Sequence, residues 1–243
     1  SPDGGYIATT CGSYAGTDRA IRIWDVNSGG EIAVCAGHSQ PAKSLCFSPD
    51  GTQVLSAAAD KQARLWDRAT GGLVQEFTGT VRSPGTAVFA PGGRIVTAGG
   101  GGGGIGGRIW DLNTGRLIRS FGPADPKWFA ASASLVQRGM YAHSEDGQTI
   151  HIAAIETDAA VCTLRGHTAL VRSVEVSPDG KYLLTSCGSF PFEKTPNDPT
   201  ARIWDALTGA ETHIFRDHAD SVTRAVFSPD GQQVVTVGYD KIV

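Results

Sequence analysis

The sequence predicts an all-β fold made of near-identical four-stranded antiparallel sheets that cover one another's apolar faces around an axis. Three observations carry this. A turn segment Ser-Pro-Asp-Gly begins at Ser1, Ser48, Ser177 and Ser228, with the variant Ala-Pro-Gly-Gly from Ala90. A segment Arg-Ile/Leu-Trp-Asp begins at Arg22, Arg64, Arg108 and Arg202, and its tryptophans Trp24, Trp66, Trp110 and Trp204 are 42, 44 and 94 residues apart. The apolar residues between these markers alternate with period two, the signature of half-buried strands. Self-similarity at a fixed period of about 42 residues marks a repeat architecture.

The elements of one unit follow in order. Phe47, Phe89, Val176 and Phe227 stand just before the turn, with Leu45, Ala87, Val174 and Ala225 two positions earlier, so a first strand buries one face. Ser-Pro-Asp-Gly then supplies turn chemistry: Pro presets φ, Asp bonds the backbone and Gly accepts positive φ. A second apolar run follows (VLSAA, RIVTA, YLLTS, QVVTV), and the Arg-Ile/Leu-Trp-Asp segment is the third strand. After each Trp-Asp the pattern Asp-x-x-Ser/Thr-Gly makes another hairpin, leading to a fourth strand such as EIAVCAG or GLVQEF. A four-stranded meander with two apolar faces is unstable alone and must stack on copies of itself. Radial stacking hides the faces and leaves only short edges.

Composition agrees and excludes much else. Hydrophobic residues are 40% of 243, enough for a sizeable core, while Gly at 32 and Pro at 12 suit many tight turns. The formal net charge is -3 and no Lys/Arg run occurs, which gives no pointer to nucleic acid or an anionic membrane. No apolar stretch approaches the roughly 20 residues that span a bilayer, and no signal peptide is visible. The five cysteines (Cys11, Cys35, Cys46, Cys162, Cys187) are odd in number, lack CxxC spacing and sit in apolar runs. They read as small buried hydrophobes rather than disulfides or zinc ligands, and favour a reducing, cytoplasmic setting.

With these offsets the chain resembles the WD-repeat family of β-propellers over nearly its whole length. Gly37-His38, Gly166-His167 and Asp217-His218 occupy the family's Gly-His position, and each His lies 18 residues before Ser56, Thr185 or Thr236. His38 to Asp60 and His218 to Asp240 are each 22, and Asp18, Asp60 and Asp198 each precede their Trp by six. The resemblance implies a hydrogen-bonded network inside each blade. It comprises His38, Ser56, Asp60 and Trp66 in one, and His167, Thr185, Asp198 and Trp204 in another. Thr9, Asp18 and Trp24 form part of a third set, and His218, Thr236 and Asp240 part of a fourth. A buried indole N–H needs an acceptor, which a hydroxyl supplies, and such a chain is favourable only when every member is paired.

The units fall at about 1–36, 37–78, 79–121, 122–165, 166–216 and 217–243, read as a single propeller domain. The third has Thr80 in place of His and Gly104 near its expected Asp. The fourth lacks the Trp and Asp at the repeat positions and the Pro-Asp-Gly turn, so packing alone is expected to hold it, with Trp128 and Phe129 supplying bulk. Five units have three or four strands and the last has two. A seven-bladed ring of the family needs roughly 290 residues, so an incomplete propeller of about five to six blades from a seven-bladed parent is the expectation, and Ser1 is expected to lie inside a repeat of a longer chain.

Several constellations imitate active sites. Ser, His and Asp resemble a hydrolase triad, but the set recurs in several units, whereas a catalytic site is built once. Gly102-x-Gly104-x-x-Gly107 fits a dinucleotide fingerprint, yet a strand follows it where a helix is required. His143 and His151 flank a turn without further metal ligands and read as surface residues. The repeated arginines at positions 22, 64, 108 and 202 suit packing of their aliphatic stems between blades better than a ring for anions. The reading is non-catalytic, with no metal, no cofactor and no small-molecule substrate.

Function is expected in three insertions between second and third strands: 12–17, 99–107 and 188–197. The resemblance places this connection on the top face, and loops on rigid scaffolds carry binding residues. Tyr14, Phe190, Phe192, Glu193 and Lys194 are the candidate partner contacts, as aromatics set among polar residues. The leading function is a scaffold that binds a protein or peptide partner. The alternative is a regulatory or sensory propeller appended to a larger enzyme such as a protein kinase, with a style of repeat resembling bacterial multidomain proteins.

Overall fold

Hydrophobic patterning and turn chemistry together produce six antiparallel sheets. The structure, a computed structural model, describes residues 1–11, 18–79, 84–99, 106–121, 128–130, 132–188 and 198–242, with residues 84, 121 and 128–130 described by backbone only. Two compact units emerge, Ser1–Ala124 and Asp125–Val243.

The first unit holds three sheets. The first sheet is β1 (Tyr6–Thr10), β2 (Ile21–Asp25) and β3 (Glu31–Cys35), in that order. The second is β4 (Ala42–Phe47), β5 (Gln53–Ala58), β6 (Gln62–Asp67) and β7 (Leu73–Thr78). The third is β8 (Pro84–Ala90), β9 (Arg94–Gly99), β10 (Gly107–Asp111) and β11 (Leu117–Phe121). In β5 the neighbours Val54 and Leu55 are both fully buried and point to opposite faces. Val54 packs with Ile21, Ile23, Ala33 and Cys35 of the first sheet. Leu55 packs with Ala87, Phe89, Ile95 and Trp110 of the third. A sheet buried on both faces explains why its second strand reads as a continuous apolar run.

The second unit repeats the scheme. The fourth sheet is β12 (Trp128–Ala130), β13 (Met140–Ser144), β14 (Ile150–Ala154) and β15 (Ala160–Leu164), with a short helix α1 (Ala133–Gln137) between β12 and β13. The fifth is β16 (Val171–Val176), β17 (Tyr182–Cys187), β18 (Ala201–Asp205) and β19 (Glu211–Phe215), and the sixth is β20 (Val222–Phe227) with β21 (Val234–Gly238). Ile150, Ile152, Cys162 and Leu164 of the fourth sheet pack against Val171, Val174, Leu183 and Trp204 of the fifth. The fifth packs its other face, through Leu184 and Ala201, on Val222 and Ala225 of the sixth.

The turns work as their residues dictate. Ser48 Oγ donates to Asp50 Oδ1 at 2.6 Å and accepts from Gln53 N at 2.9 Å, while Gly51 takes φ 72°. At the other hairpin Asp67 Oδ1 accepts from Thr70 N and Thr70 Oγ1, and Gly71 takes φ 70°. A bulge follows in every sheet that has the third and fourth strands, between Leu65 and Trp66 in the second sheet and between Ile203 and Trp204 in the fifth.

Three expectations need correction. The fourth sheet forms regularly, but not by packing alone. Ser132 caps α1, Leu135 and Val136 bury its apolar side, and Ser134 Oγ donates to Glu175 Oε2 at 2.5 Å and accepts from Val176 N at 3.0 Å. The side chains of Trp128 and Phe129 lie outside the described residues. His143 and His151 do flank the turn between β13 and β14, but they are not surface residues. They are partly buried, paired directly across β13 and β14, and stacked with ring centroids 5.2 Å apart. Among the cysteines, Cys11 is exposed and Cys46 only partly buried; all five are free thiols.

Candidate functional site

The polar network of the second sheet begins at the buried indole of Trp66. Its Nε1 donates to Ser56 Oγ at 2.8 Å. Ser56 Oγ lies 2.8 Å from His38 Nε2, and His38 Nδ1 lies 2.8 Å from Asp60 Oδ2. Burial holds the His38 pKa below its ordinary 6.5, against the opposing pull of Asp60. A neutral imidazole gives every member a partner: Nδ1–H donates to Asp60, and Nε2 accepts from the Ser56 hydroxyl. Asp60 also accepts from Ser39 N at 3.0 Å and Gln62 N at 3.1 Å.

The fifth sheet builds the same chain from different residues. Trp204 Nε1 donates to Thr185 Oγ1 at 2.8 Å; His167 Nε2 lies 2.6 Å from that oxygen, and its Nδ1 lies 3.2 Å from Asp198 Oδ2. Asp198 accepts further from Thr168 N, Thr200 Oγ1 and Arg202 Nη2. Burial disfavours its charge, but hydrogen bonds from His167, Thr200 and Thr168 N outweigh that and hold its pKa far below the carboxylate range. In the sixth sheet His218 contacts Thr236 at 2.8 Å and Asp240 at 2.9 Å. In the first, Trp24 Nε1 donates to Thr9 Oγ1 at 2.8 Å and Asp18 pairs with Arg22 at 2.7 Å. Trp110 finds Thr97 Oγ1 at 3.0 Å in the third, a pair that the repeat spacing from a His could not mark because that blade has Thr80 in the His position.

These networks have a positional consequence. Each His precedes a first strand and each Asp bonded to it follows a second strand, so the His–Asp bond ties two connections together at one end of the sheet. Asp198 closes the 188–197 insertion, and at its other edge Gly188 N donates to Leu170 O at 3.0 Å. The described residues on either side of the insertion, Gly188 and Asp198, are thus both hydrogen-bonded to the stretch that precedes β16. Tyr14, Phe190, Phe192, Glu193 and Lys194 lie outside the described residues, as do Thr80 and Gly104.

His167, Cys187 and Asp198 bring three potential ligand atoms within 4.8 Å of one another. The chemistry does not suit a cation. Burial pushes the Cys187 thiol up to about 12, and Cys187 Sγ already donates to Ala169 O at 3.0 Å. Asp198 is already saturated by four donors, one of them the Arg202 guanidinium at 3.1 Å. No helix among the described residues is long and apolar enough to cross a membrane.

The WD domain, G-beta repeat family model matches residues 29–67, 159–205 and 209–243. The chain belongs to the WD-repeat family. Further matches agree with this. Protein tipD of Dictyostelium discoideum is 27% identical over 93% of this WD-repeat chain and 36% of its own length. A WD repeat-containing protein of Synechocystis sp. is 35% identical over 38% of this chain and 27% of its own length. The guanine nucleotide-binding protein subunit beta of Zea mays is 26% identical over 44% of this chain and 26% of its own length. The matches thus span about a quarter to a third of these relatives. Among solved structures, the computationally designed Ika8 protein superposes with a TM-score of 0.74 over 98% of this chain and 66% of its own, at 20% identity. At that identity the likeness is one of fold: propeller-type WD blades.

Proposed function

We propose that this WD-repeat chain is a non-catalytic scaffold that holds a protein or peptide partner on the end of its blades where the His–Asp pairs sit. The observation that carries this is the anchored base of the 188–197 insertion, fixed by Asp198 on one side and Gly188 on the other. A loop on a rigid base presents its side chains with little ordering cost. Phe190, Phe192, Glu193 and Lys194 are the proposed contacts there, and Tyr14 the corresponding one in the 12–17 insertion. The name of one relative, a subunit of a guanine nucleotide-binding protein, describes a member of an assembly. Against catalysis stands the burial of the triad-like hydroxyls: Ser56 and Thr185 are both 0% exposed, so no substrate reaches them.

The test is affinity capture with the full-length protein beside a variant carrying Phe190→Ala and Phe192→Ala. Loss of at least one partner at unchanged folding is the expected result. An identical set of captured proteins would remove this insertion from the reading.

A further inference from the structure

The third blade differs from its sisters in the surroundings of one arginine. Arg22, Arg64, Arg108 and Arg202 occupy the same place in their blades. Arg64 Cζ lies 5.9 Å from the Trp66 ring and Arg108 Cζ lies 6.0 Å from the Trp110 ring. Nη1 of Arg64, Arg108 and Arg202 lies beneath the glycine just after the last strand of the preceding sheet, 2.8, 3.3 and 2.8 Å from where a Cβ on Gly37, Gly79 or Gly166 would stand.

In three blades that guanidinium is met by carboxylates. Arg22 has Asp18 at 2.7 Å and Glu31 at 3.0 Å; Arg64 has Glu76 at 2.8 Å; Arg202 has Asp198 at 3.1 Å and Glu211 at 2.9 Å. Arg108 has none among the described residues. Its Nε is buried and has no hydrogen-bond partner there, whereas Nε of Arg64 donates to Glu76 and Nε of Arg202 to Thr200. The register explains the difference among the described residues. Glu76 sits opposite Arg64 across β6 and β7, and exposed Ser120 takes that place opposite Arg108. Glu31 and Glu211 sit opposite Trp24 and Trp204, and Leu117 takes that place opposite Trp110. The stretch before β10, where other blades carry their Asp, is glycine and isoleucine.

No other carboxylate in the repeat can substitute. Residues 79–121 contain five arginines (82, 94, 108, 116, 119) against one acidic residue, Asp111, which leaves +4 in a chain of net charge -3. Asp111 is occupied by Thr114, whose N and Oγ1 both donate to it at 2.7 Å. An unpaired buried guanidinium nitrogen costs stability unless an acceptor arrives.

We propose that the third blade is an anion seat in which Arg108 takes a carboxylate from an acidic segment of a protein partner. The carboxylate occupies the position that Glu76 fills in the second blade, reached past the exposed Ser120 and Leu117. The carboxylate class follows from the sister blades, where that chemistry fills the same place in bonded contact. The surplus positive charge of the repeat draws the acidic segment toward it. This rests on the partner-binding reading and adds the chemistry of the partner.

The test is fluorescence polarisation of fluorescein-labelled octaglutamate at about 0.15 M salt, where long-range attraction is screened. The wild type is expected to bind it more tightly than inorganic phosphate. Arg108→Gln and Ser120→Glu are each expected to weaken binding about tenfold or more. The second variant keeps Arg108 and fills the seat from within, so it decides the matter even where the first does not fold. Asn113→Glu adds the same charge to the repeat away from Arg108 and is expected to leave affinity within about twofold. Unchanged binding in Ser120→Glu, an equal loss in Asn113→Glu, or octaglutamate binding no better than phosphate would each overturn the proposal. Phe190→Ala with Phe192→Ala is expected to leave octaglutamate binding intact, so failure here and failure of partner capture through the insertion are read separately.

Discussion

Gly71 lies against the backbone carbonyl of Val34, and the space between them has no room for a methyl group. The turn that links β6 to β7 thus presses directly on β3 of the neighbouring sheet. Gly209 makes the same approach to Thr163 O in the second unit. Backbone contact between sheets fixes their spacing independently of side-chain packing.

The turn glycines therefore separate two effects. Gly29 and Gly71 have nearly the same φ, 68° and 70°, but nothing lies within 4 Å of a Cβ on Gly29. Gly29→Ala is expected to cost about 1 kcal/mol, the left-handed penalty alone. Gly71→Ala adds a clash with backbone that cannot step aside, and is expected to cost about 3 kcal/mol or more. Urea denaturation of both variants checks this; equal losses would show that the sheets yield.

Ser56 joins three groups, so its removal leaves Trp66 Nε1 and His38 Nε2 without a partner in a buried place. Ser56→Ala is expected to cost about 2 kcal/mol or more. Ser56→Thr is expected to stay within about 1 kcal/mol, because the fifth sheet uses Thr185 and the third Thr97 at the same position. If thermal unfolding ranks the two substitutions alike, the hydroxyl is not what matters.

Strands and turns were legible from sequence because they rest on local chemistry: Pro-Asp-Gly, Asp-x-x-Thr-Gly and period two. The His, Ser/Thr, Asp and Trp positions were legible because their spacing recurs. Helix α1 was not, since five residues are too short to show a 3.6-residue period; the cap at Ser132 followed by Leu135 and Val136 was the available signal. The exposure of Cys11 was hidden because an apolar run does not tell which strand end reaches solvent. The guanidinium of Arg108, without a carboxylate among the described residues, was hidden by its likeness to three paired ones, although the charge count of its repeat pointed to it.

Thiol reactivity gives a direct measure of burial. Desolvation pushes Cys35, Cys46 and Cys162 up to about 11 and Cys187 up to about 12, while Cys11 is exposed. Ellman's reagent at about pH 8 is expected to find one fast thiol, abolished by Cys11→Ser, with the other four reacting only after unfolding. Any fast thiol left in the Cys11→Ser protein would mean that the sheets open.

His38 and His167 set the response to mild acid. Burial is the larger cause in both and lowers their folded pKa below 6.5. The unfolded chain therefore takes up protons first as pH falls through about 6.5, and below that value it binds more protons than the folded one. Stability from these two groups is fully present above the unfolded pKa and declines as pH drops toward the folded one, by up to about 1.4 kcal/mol per pH unit for each. Asp198 acts lower: its folded pKa is depressed, so its contribution is present above 3.8 and lost as pH falls through the folded value. Urea midpoints measured from about pH 7.5 to pH 5 are expected to fall steadily in the wild type and less steeply in His38→Gln, which removes one of the two titrating groups. A flat wild-type profile over that window would mean that folding leaves the imidazoles unshifted, and stability that rises toward acid would mean that they are charged in the folded state; in the second case the one-way chain from Trp66 to Asp60 would have to be redrawn.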